Sequence, residues 1–393
     1  MRRILAAALM VMGILVSAGS PAQAASGPWS VVSAGNEHTC AINTGRSLYC
    51  WGNNNGGAVG DGTSGNHRTS PKKIGTSGVW ASVSAGGAHT CAISTGNSLY
   101  CWGFNNNGQI GDGTAGSPDN NRLSPKKIGT SGVWASVSAG AAHTCAITTG
   151  KSLYCWGLNG DGQVGDGSSG NQRPSPKKIG TSGVWASVSA GTIHTCAIST
   201  GKSLYCWGDN QTGEIGDGTS GFTAIQPSPK RIGTSGVWAL AVGGDYHTCA
   251  ITTGKSLYCW GFNGFGQVGD GTSGNQRPSP KKIGTSGAWA VGSAGGTNGN
   301  GHTCATTTGN SLYCWGYNQY GQIGDGTSGS PTNDRHTPKK VGTSGVWAGS
   351  SGGAAHTCAI STGQSLYCWG RNDLGQIGDG TSGNQRPSPK KIP

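Results

Sequence analysis

Seven histidines stand in one repeated phrase, His-Thr-Cys, at His38, His89, His143, His194, His247, His302 and His356. A ring of imidazoles is chemically able to bind metal or relay protons. Identical placement in every copy points instead to a side chain that satisfies backbone groups once per unit. Seven aspartates recur as regularly, each between two glycines: Asp61, Asp112, Asp166, Asp217, Asp270, Asp325 and Asp379. In such loops an Asp accepts backbone N–H groups and shapes a turn. Asn159-Gly160-Asp161-Gly162-Gln163 has the look of a calcium loop. Other copies place Asn107, Thr212, Phe265 or Tyr320 at the Asp161 position, however, and no Glu stands where a bidentate ligand is needed. No metal and no other cofactor is expected.

Paired basic residues also recur: Lys72 and Lys73, Lys126 and Lys127, Lys177 and Lys178, Lys230 and Arg231, Lys281 and Lys282, Lys339 and Lys340, Lys390 and Lys391. Such a ring of charge suits an anionic surface polymer, or simply a solvated edge that discourages strand pairing. The chain is basic, net +12, but only 11% of its residues are charged. No aromatic-basic interleaving of the kind that grips single strands occurs, so nucleic acid is not expected as a partner. No Gly-x-Ser-x-Gly elbow, phosphate loop or zinc-protease helix is present. The carboxylates outside the repeated positions are scattered singly, and the chain does not read as an enzyme.

All fourteen cysteines fall in seven pairs at one spacing: Cys40 with Cys50, Cys91 with Cys101, Cys145 with Cys155, Cys196 with Cys206, Cys249 with Cys259, Cys304 with Cys314, and Cys358 with Cys368. An even count at fixed spacing behind an export leader reads as structural disulfides, whereas zinc sites want Cys-x2-Cys pairs that are absent. The leader is residues 1–24. Arg2 and Arg3 form its charged start, Ile4 to Val16 its apolar stretch and Ala22-Gln23-Ala24 its cleavage site. The apolar stretch is too short to cross a bilayer, so membrane insertion is not expected. The mature chain should be secreted: extracellular, or periplasmic if the host has an outer membrane.

These residues must be carried by short strands, because no segment sustains helical apolar periodicity and Gly, at 75, is the commonest residue. Each copy predicts four strands, in the second copy Trp80 to Ser84, His89 to Ile93, Ser98 to Trp102 and Pro125 to Ile128. Ser94-Thr95-Gly96-Asn97 is a tight hairpin, and if Cys91 and Cys101 sit directly opposite, its register centres on Gly96. Alternation then puts Leu99 and Cys101 on one face of the third strand and Tyr100 and Trp102 on the other. A sheet apolar on both faces needs neighbours on both sides, as a blade in a closed ring has. An open solenoid would need atypical capping copies at its ends, and none occurs.

The phrase Trp-Gly-x-Asn-x-x-Gly-Gln-x-Gly-Asp-Gly-Thr (Trp102 to Thr114), following Gly-x-x-His-Thr, resembles the regulator of chromosome condensation repeat across residues 29–393. Gly57-Ala58 and Glu214 depart at the Gln position. The resemblance implies an all-β, seven-bladed β-propeller of four-stranded antiparallel blades, and it extends to a secreted bacterial type with one cysteine bridge per blade. The repeats run 29–79, 80–133, 134–184, 185–237, 238–288, 289–346 and 347–393. The family's exchange activity on a nuclear GTPase is not implied for an exported chain. The plant ultraviolet-receptor branch carries tryptophans just before the histidine. Glu37, Ala88, Ala142, Ile193, Tyr246, Gly301 and Ala355 stand there instead, so light sensing is not expected. A secreted inhibitor of a β-lactamase is built on a similar fold, which makes enzyme inhibition a further expectation.

The copies differ in length only where the third strand leads to the fourth (Ala115 to Leu123, Phe222 to Gln226, Ser330 to His336) and where the first leads to the second (Gly296 to Asn300). In an up-and-down blade both connections emerge at one end. Diversity on loops over a constant scaffold is the mark of a binding face. A protein partner is therefore expected on that rim, with Phe222 and Ile225 as apolar anchors. Asp119, Asn120, Arg122, Asn298, Asn300, Asp334, Arg335 and His336 are its expected polar contacts.

Overall fold

A computed structural model describes residues 27–393 except 76–78, 117, 130–132, 181–183, 234–236, 285–288 and 343–345. The expected leader, residues 1–24, and most of each Gly-Thr-Ser-Gly turn between copies lie outside the described residues. Every copy folds into one four-stranded antiparallel sheet whose strands follow chain order. In the first blade these are β1 (Trp29–Ala34), β2 (His38–Asn43), β3 (Leu48–Gly52) and β4 (Arg68–Ile74). In the second they are β5 (Trp80–Ala85), β6 (His89–Ser94), β7 (Leu99–Gly103) and β8 (Arg122–Ile128). β8 starts at Arg122, well before the expected Pro125, because Arg122 pairs with Gly103 beyond a bulge.

The first strands are innermost. They surround a central channel of about 250 Å³ lined by small residues such as Ser33, Gly86, Ser189 and Ser350. The fourth strands form the outer edge, where both basic residues of each pair are exposed. Pro and Lys there keep unpaired backbone groups from recruiting a further strand.

Register follows from the hairpin. Ser94 donates its N–H to Ser98 O at 2.9 Å, and Ile93 faces Leu99 while Cys91 faces Cys101. Counted from that bond, the cysteines occupy a non-hydrogen-bonded pair, the closer kind in an antiparallel ladder. Their Cα atoms are 4.1 Å apart and their sulfurs are bonded. The other six expected pairs are bridged in the same way, each within its own blade. Cys40 is bonded to Cys50, Cys145 to Cys155 and Cys196 to Cys206. Cys249 is bonded to Cys259, Cys304 to Cys314 and Cys358 to Cys368.

The two faces of β7 serve different seams. Leu99 and Cys101, with Ile93, Ile110 and Ile128, pack against Trp134, Ala146 and Trp156 of the third blade. Trp102 packs the opposite way, into the Cys40 and Cys50 cluster of the first blade. Each disulfide therefore lies beneath two tryptophans of the following blade. Gly111 makes this approach possible: its φ is +85°, and a Cβ there would meet Trp156 Nε1 at 2.5 Å.

A hydrogen-bonded circle accompanies the apolar seams. His38 Nε2 lies 2.8 Å from Thr90 Oγ1 of the next blade, and the pattern repeats at all seven seams, ending with His356 and Thr39. The Thr90 hydroxyl donates to Ala58 O at 2.8 Å, and Trp102 Nε1 donates to the same carbonyl. With its proton so used, Thr90 accepts from histidine, which fixes the Nε2–H tautomer. The histidines are scaffold, as their symmetry implied, but their partner is a threonine hydroxyl of the next blade and not the backbone groups expected.

The ring closes without a shared strand. Trp29, Ala41 and Trp51 pack on Leu366, Cys368, Ile377 and Ile392, and Trp29 donates its N–H to Gln364 O at 2.8 Å. The first strand completes its own blade, not the last.

Candidate binding face

The connection from third to fourth strand is braced before it is decorated. Asn105 Oδ1 accepts the Ile110 N–H at 3.0 Å, and its Nδ2 donates to Thr114 O at 3.1 Å. Gln109 Oε1 accepts the Asn107 N–H at 2.9 Å. Asp112 Oδ1 accepts both the N–H and the hydroxyl of Thr114, and its Oδ2 takes Arg122 Nε at 2.6 Å. Six blades repeat this Asp–Arg pair and the fourth uses Lys230 with Asp217. Burial would raise the Asp112 carboxyl, but the hydrogen bonds from Thr114 and Arg122 outweigh it and hold it below its ordinary value. The aspartates shape turns as expected. Their arginine partners went unnoticed in the sequence, although each opens the fourth strand at a fixed place.

On this frame two positions vary freely: the residue after Trp-Gly, and the residue two after the bracing Asn. They meet across seams. Gly56 lies against Phe104, so that a Cβ on Gly56 would meet the Phe104 ring at 3.2 Å. Phe265 packs on Tyr317 with ring centroids 4.8 Å apart and planes tilted by 58°. Arg371 lies over the Tyr320 ring at 5.4 Å. Asp161 and Asp209 hold the equivalent places at the seam of the third and fourth blades, and burial, with the Asp161 charge second, raises the Asp209 carboxyl to about 6. Four seams thus carry four different chemistries.

Residues of this set join the first-to-second connections around a funnel of about 540 Å³ at the mouth of the ring. Phe104, Tyr317, Tyr320, Asn107, Glu37 and Arg371 line it. Arg371 is held by Asp373 at 2.7 Å and Glu37 at 3.5 Å. The funnel confirms that the two variable connections share one end of the ring.

The expected partner contacts separate into groups. Asn298 and Asn300 line the funnel. Phe222 is 87% exposed and Ile225 is exposed where the fourth strand of the fourth blade begins; neither lines the funnel. Asp119 is exposed, and Asn120 Nδ2 donates to Ala115 O in its own loop. Arg122 and Arg335 belong to the repeated ion pairs. Asp334 is buried, accepting the Asn318 N–H and the Ser330 hydroxyl at 2.8 Å each. His336 packs over Gly266. Length comparison found the insertions but missed Phe104, Asp161, Asp209, Phe265, Tyr317, Tyr320 and Arg371. Comparison of residue types at constant positions would have found them.

Among the described residues no helix is long and apolar enough to cross a membrane. The description "RCC1-like domain" matches residues 16–299, and the regulator of chromosome condensation (RCC1) repeat matches 310–360 and 351–376. The chain is 29% identical to the ultraviolet-B receptor UVR8 of Arabidopsis thaliana over 90% of its own length and 79% of that protein's. It is 27% identical to the E3 ubiquitin-protein ligase HERC2 of Homo sapiens over 90% of its length, which spans only 7% of HERC2. Prp20p of Saccharomyces cerevisiae has the same fold, with a TM-score of 0.76, 19% identity and coverage of 93% of this chain and 87% of that one. Human WBSCR16 superposes with a TM-score of 0.75 at 19% identity, covering 88% and 94%. Together with seven blades built on one repeated phrase, these matches establish that the chain belongs to the RCC1-like domain family.

Proposed function

We propose that this chain is a secreted, non-enzymatic binding protein that contacts a protein partner through the mouth of the ring. The observation that carries this reading is the contrast between two circles. The His–Thr circle is the same at every seam, whereas the seams above it carry a tilted aromatic pair, a cation–π contact, a glycine–phenylalanine contact and a like-charge pair. Burial holds the circle constant, and variation gathered on loops around one mouth is where binding proteins place their contacts. Yeast Prp20p, of the same fold, was described with its binding properties to Gsp1p and histones. Seven buried bridges and the leader-like residues 1–24 support export, because disulfides persist in oxidising compartments.

Affinity capture from native culture tests the reading. Wild type should enrich one protein. A Phe104→Ser, Tyr320→Ser variant should lose it, and a Phe222→Ser, Ile225→Ser variant reports whether the exposed loop adds an anchor. Equal recovery by wild type and the funnel variant would reject the mouth as the contact. Fractionation of the culture tests export.

The exposed lysines on the outer edge support a second reading, retention on an anionic surface polymer. Salt-sensitive binding to heparin that survives the funnel substitutions would favour it.

A further inference from the structure

Charge divides this ring by height. All 15 acidic residues lie at the mouth end, in the first-to-second and third-to-fourth connections or at the strand ends beside them. None lies in the second-to-third hairpins, which mark the opposite end, the base, and none lies in the sequence between blades. The hairpins carry cations instead. Arg46, Lys151, Lys202 and Lys255 hold one hairpin position in the first, third, fourth and fifth blades, and all four are exposed. Their φ angles run from +57° to +62°. That left-handed conformation suits Asn, which the second and sixth blades carry as Asn97 and Asn310, better than it suits Lys. The basic residues stand there against the local preference.

Exposed valines alternate with these cations. Val79, Val133, Val184, Val237 and Val346 each precede a first strand and are 39–41% exposed. Backbone bonds fix their order around the base. Thr200 donates its N–H to Val184 O while Trp185 donates to Lys151 O, so Val184 sits between the hairpins of the third and fourth blades. Thr253 donates to Val237 O and Trp238 to Lys202 O, which sets Val237 between the fourth and fifth. One arc of the base therefore runs Lys151, Val184, Lys202, Val237, Lys255. Farther round, a groove of about 520 Å³ is lined by the hairpin residues Thr44 and Arg46 and by Val31, Ile42 and Trp80. Among the described residues no carboxylate forms an ion pair with Arg46, Lys151, Lys202 or Lys255.

We infer that the base seats on the surface of an anionic lipid bilayer, its cations at the phosphates and its valines in the interfacial layer beneath them. Charge complementarity selects an anionic partner, because this end holds basic side chains and no acidic ones. The valines select lipid over a soluble polyanion. Exposed apolar side chains gain nothing from a hydrated chain of phosphates or sulfates, but they leave water at a hydrocarbon boundary. The contact is peripheral and spans nothing. It turns the mouth, at the opposite end, toward solution, and it does not depend on what the mouth binds.

The test is flotation with vesicles of phosphatidylcholine containing about one third phosphatidylglycerol, at about 0.15 M salt, with pure phosphatidylcholine as control. It uses the mature chain, residues 25–393, so that the apolar stretch of the leader cannot float it. Wild type should float with the anionic vesicles only. Lys151→Gln, Lys202→Gln and Lys255→Gln together should weaken binding about a hundredfold, the attraction expected of three lysines at such a surface. The seventh blade carries Gln364 at this place with φ +59°, so the fold accepts the change. Removing as many charges from the outer edge, by Lys72→Gln, Lys126→Gln and Lys177→Gln, should cost much less. Val184→Ser with Val237→Ser should weaken vesicle binding roughly tenfold and leave retention on heparin unchanged. No flotation with anionic vesicles, or equal losses in the two lysine triples, overturns the inference. So does a valine variant that floats as wild type does, which would assign the base to a polyanion. Larger species that form without vesicles and vanish in the base triple would assign it to the acidic mouth of a second copy, and overturn the inference too. Vesicles contain no natural partner, so flotation and the capture experiment fail independently.

Discussion

His356 of the last blade and Thr39 of the first hydrogen-bond at 2.8 Å, as do the corresponding residues at the six internal seams. Thr39 passes its own proton to Gln376 O at 2.9 Å. The join between chain ends is built from the same parts as every other join, and the predictions begin there.

Thr39→Val should leave the His356 N–H buried without an acceptor, destabilising the protein by about 1–3 kcal/mol. Thr195→Val, at an internal seam, should cost the same within error. Denaturant unfolding of both variants measures the difference. A much smaller loss at Thr39 would mean that the closing seam is looser than the rest.

Acid should weaken the ring from the histidines outward. Burial lowers His38, His194 and His302 to about 4, and His89, His143, His247 and His356 to about 3. The unfolded chain takes up these protons near its ordinary value of about 6.5, so between the two limits it holds more protons and stability falls with falling pH. Five carboxyls act in the opposite sense, among them Asp161 and Asp334, which burial raises above their ordinary value. Burial raises Glu214 to about 7 and Asp209 and Asp245 to about 6, so the stability they give at low pH is lost as pH rises through that range. The histidines are more numerous, and the melting temperature should climb from about pH 4 to about pH 6.5. Thermal melts across that range check the sign.

Glu214→Gln restores the residue that five other blades carry at this place. It should stabilise the protein near neutral pH, where the buried carboxyl is forced to ionise, and matter little near pH 4, where the acid is already neutral. Parallel melts at the two pH values test this; an equal effect at both would remove ionisation as the cause.

Replacing Cys91 and Cys101 by Ala should cost about 2.5–3 kcal/mol by freeing one short loop in the unfolded chain. The loss should be similar in any blade, because each bridge is buried beneath the tryptophans of the next. Chemical denaturation of single-blade variants measures it.

Gly111→Ala combines a left-handed backbone with a Cβ driven against the Trp156 indole, and should cost about 2–5 kcal/mol. Gly170→Ala has a similar φ, +92°, but meets nothing within 4 Å, so it should show only the backbone part. The difference between their unfolding midpoints isolates the contact with tryptophan.

Much of the architecture was legible because one phrase is written seven times. The Cys91–Cys101 spacing gave the hairpin register, and alternation in Leu-Tyr-Cys-Trp assigned both faces of the third strand. What was missed lies between neighbouring blades. Nothing in a single copy says that Asp161 and Asp209 will share a seam, because that placement depends on how the rigid loops of two blades line up. The place of the first strand at the channel was hidden for the same reason: it is a property of the ring, whereas the sequence describes one blade at a time. The bonds of Arg122 and Arg335 were hidden differently. These side chains fall among insertions, and their likeness to Arg68, Arg173, Arg277 and Arg386 shows only once Gly103 and its equivalents fix the start of the fourth strand.

Since every sheet is complete within its own stretch of chain, covalent order and spatial order are separable. Trp29 already rests beside Ile392, so a short linker could join those ends while new termini are opened elsewhere between two blades. Such a circular permutant would cut no sheet, bridge or hydrogen-bonded seam, and it would present the same mouth to its partner from a chain that begins at a different blade.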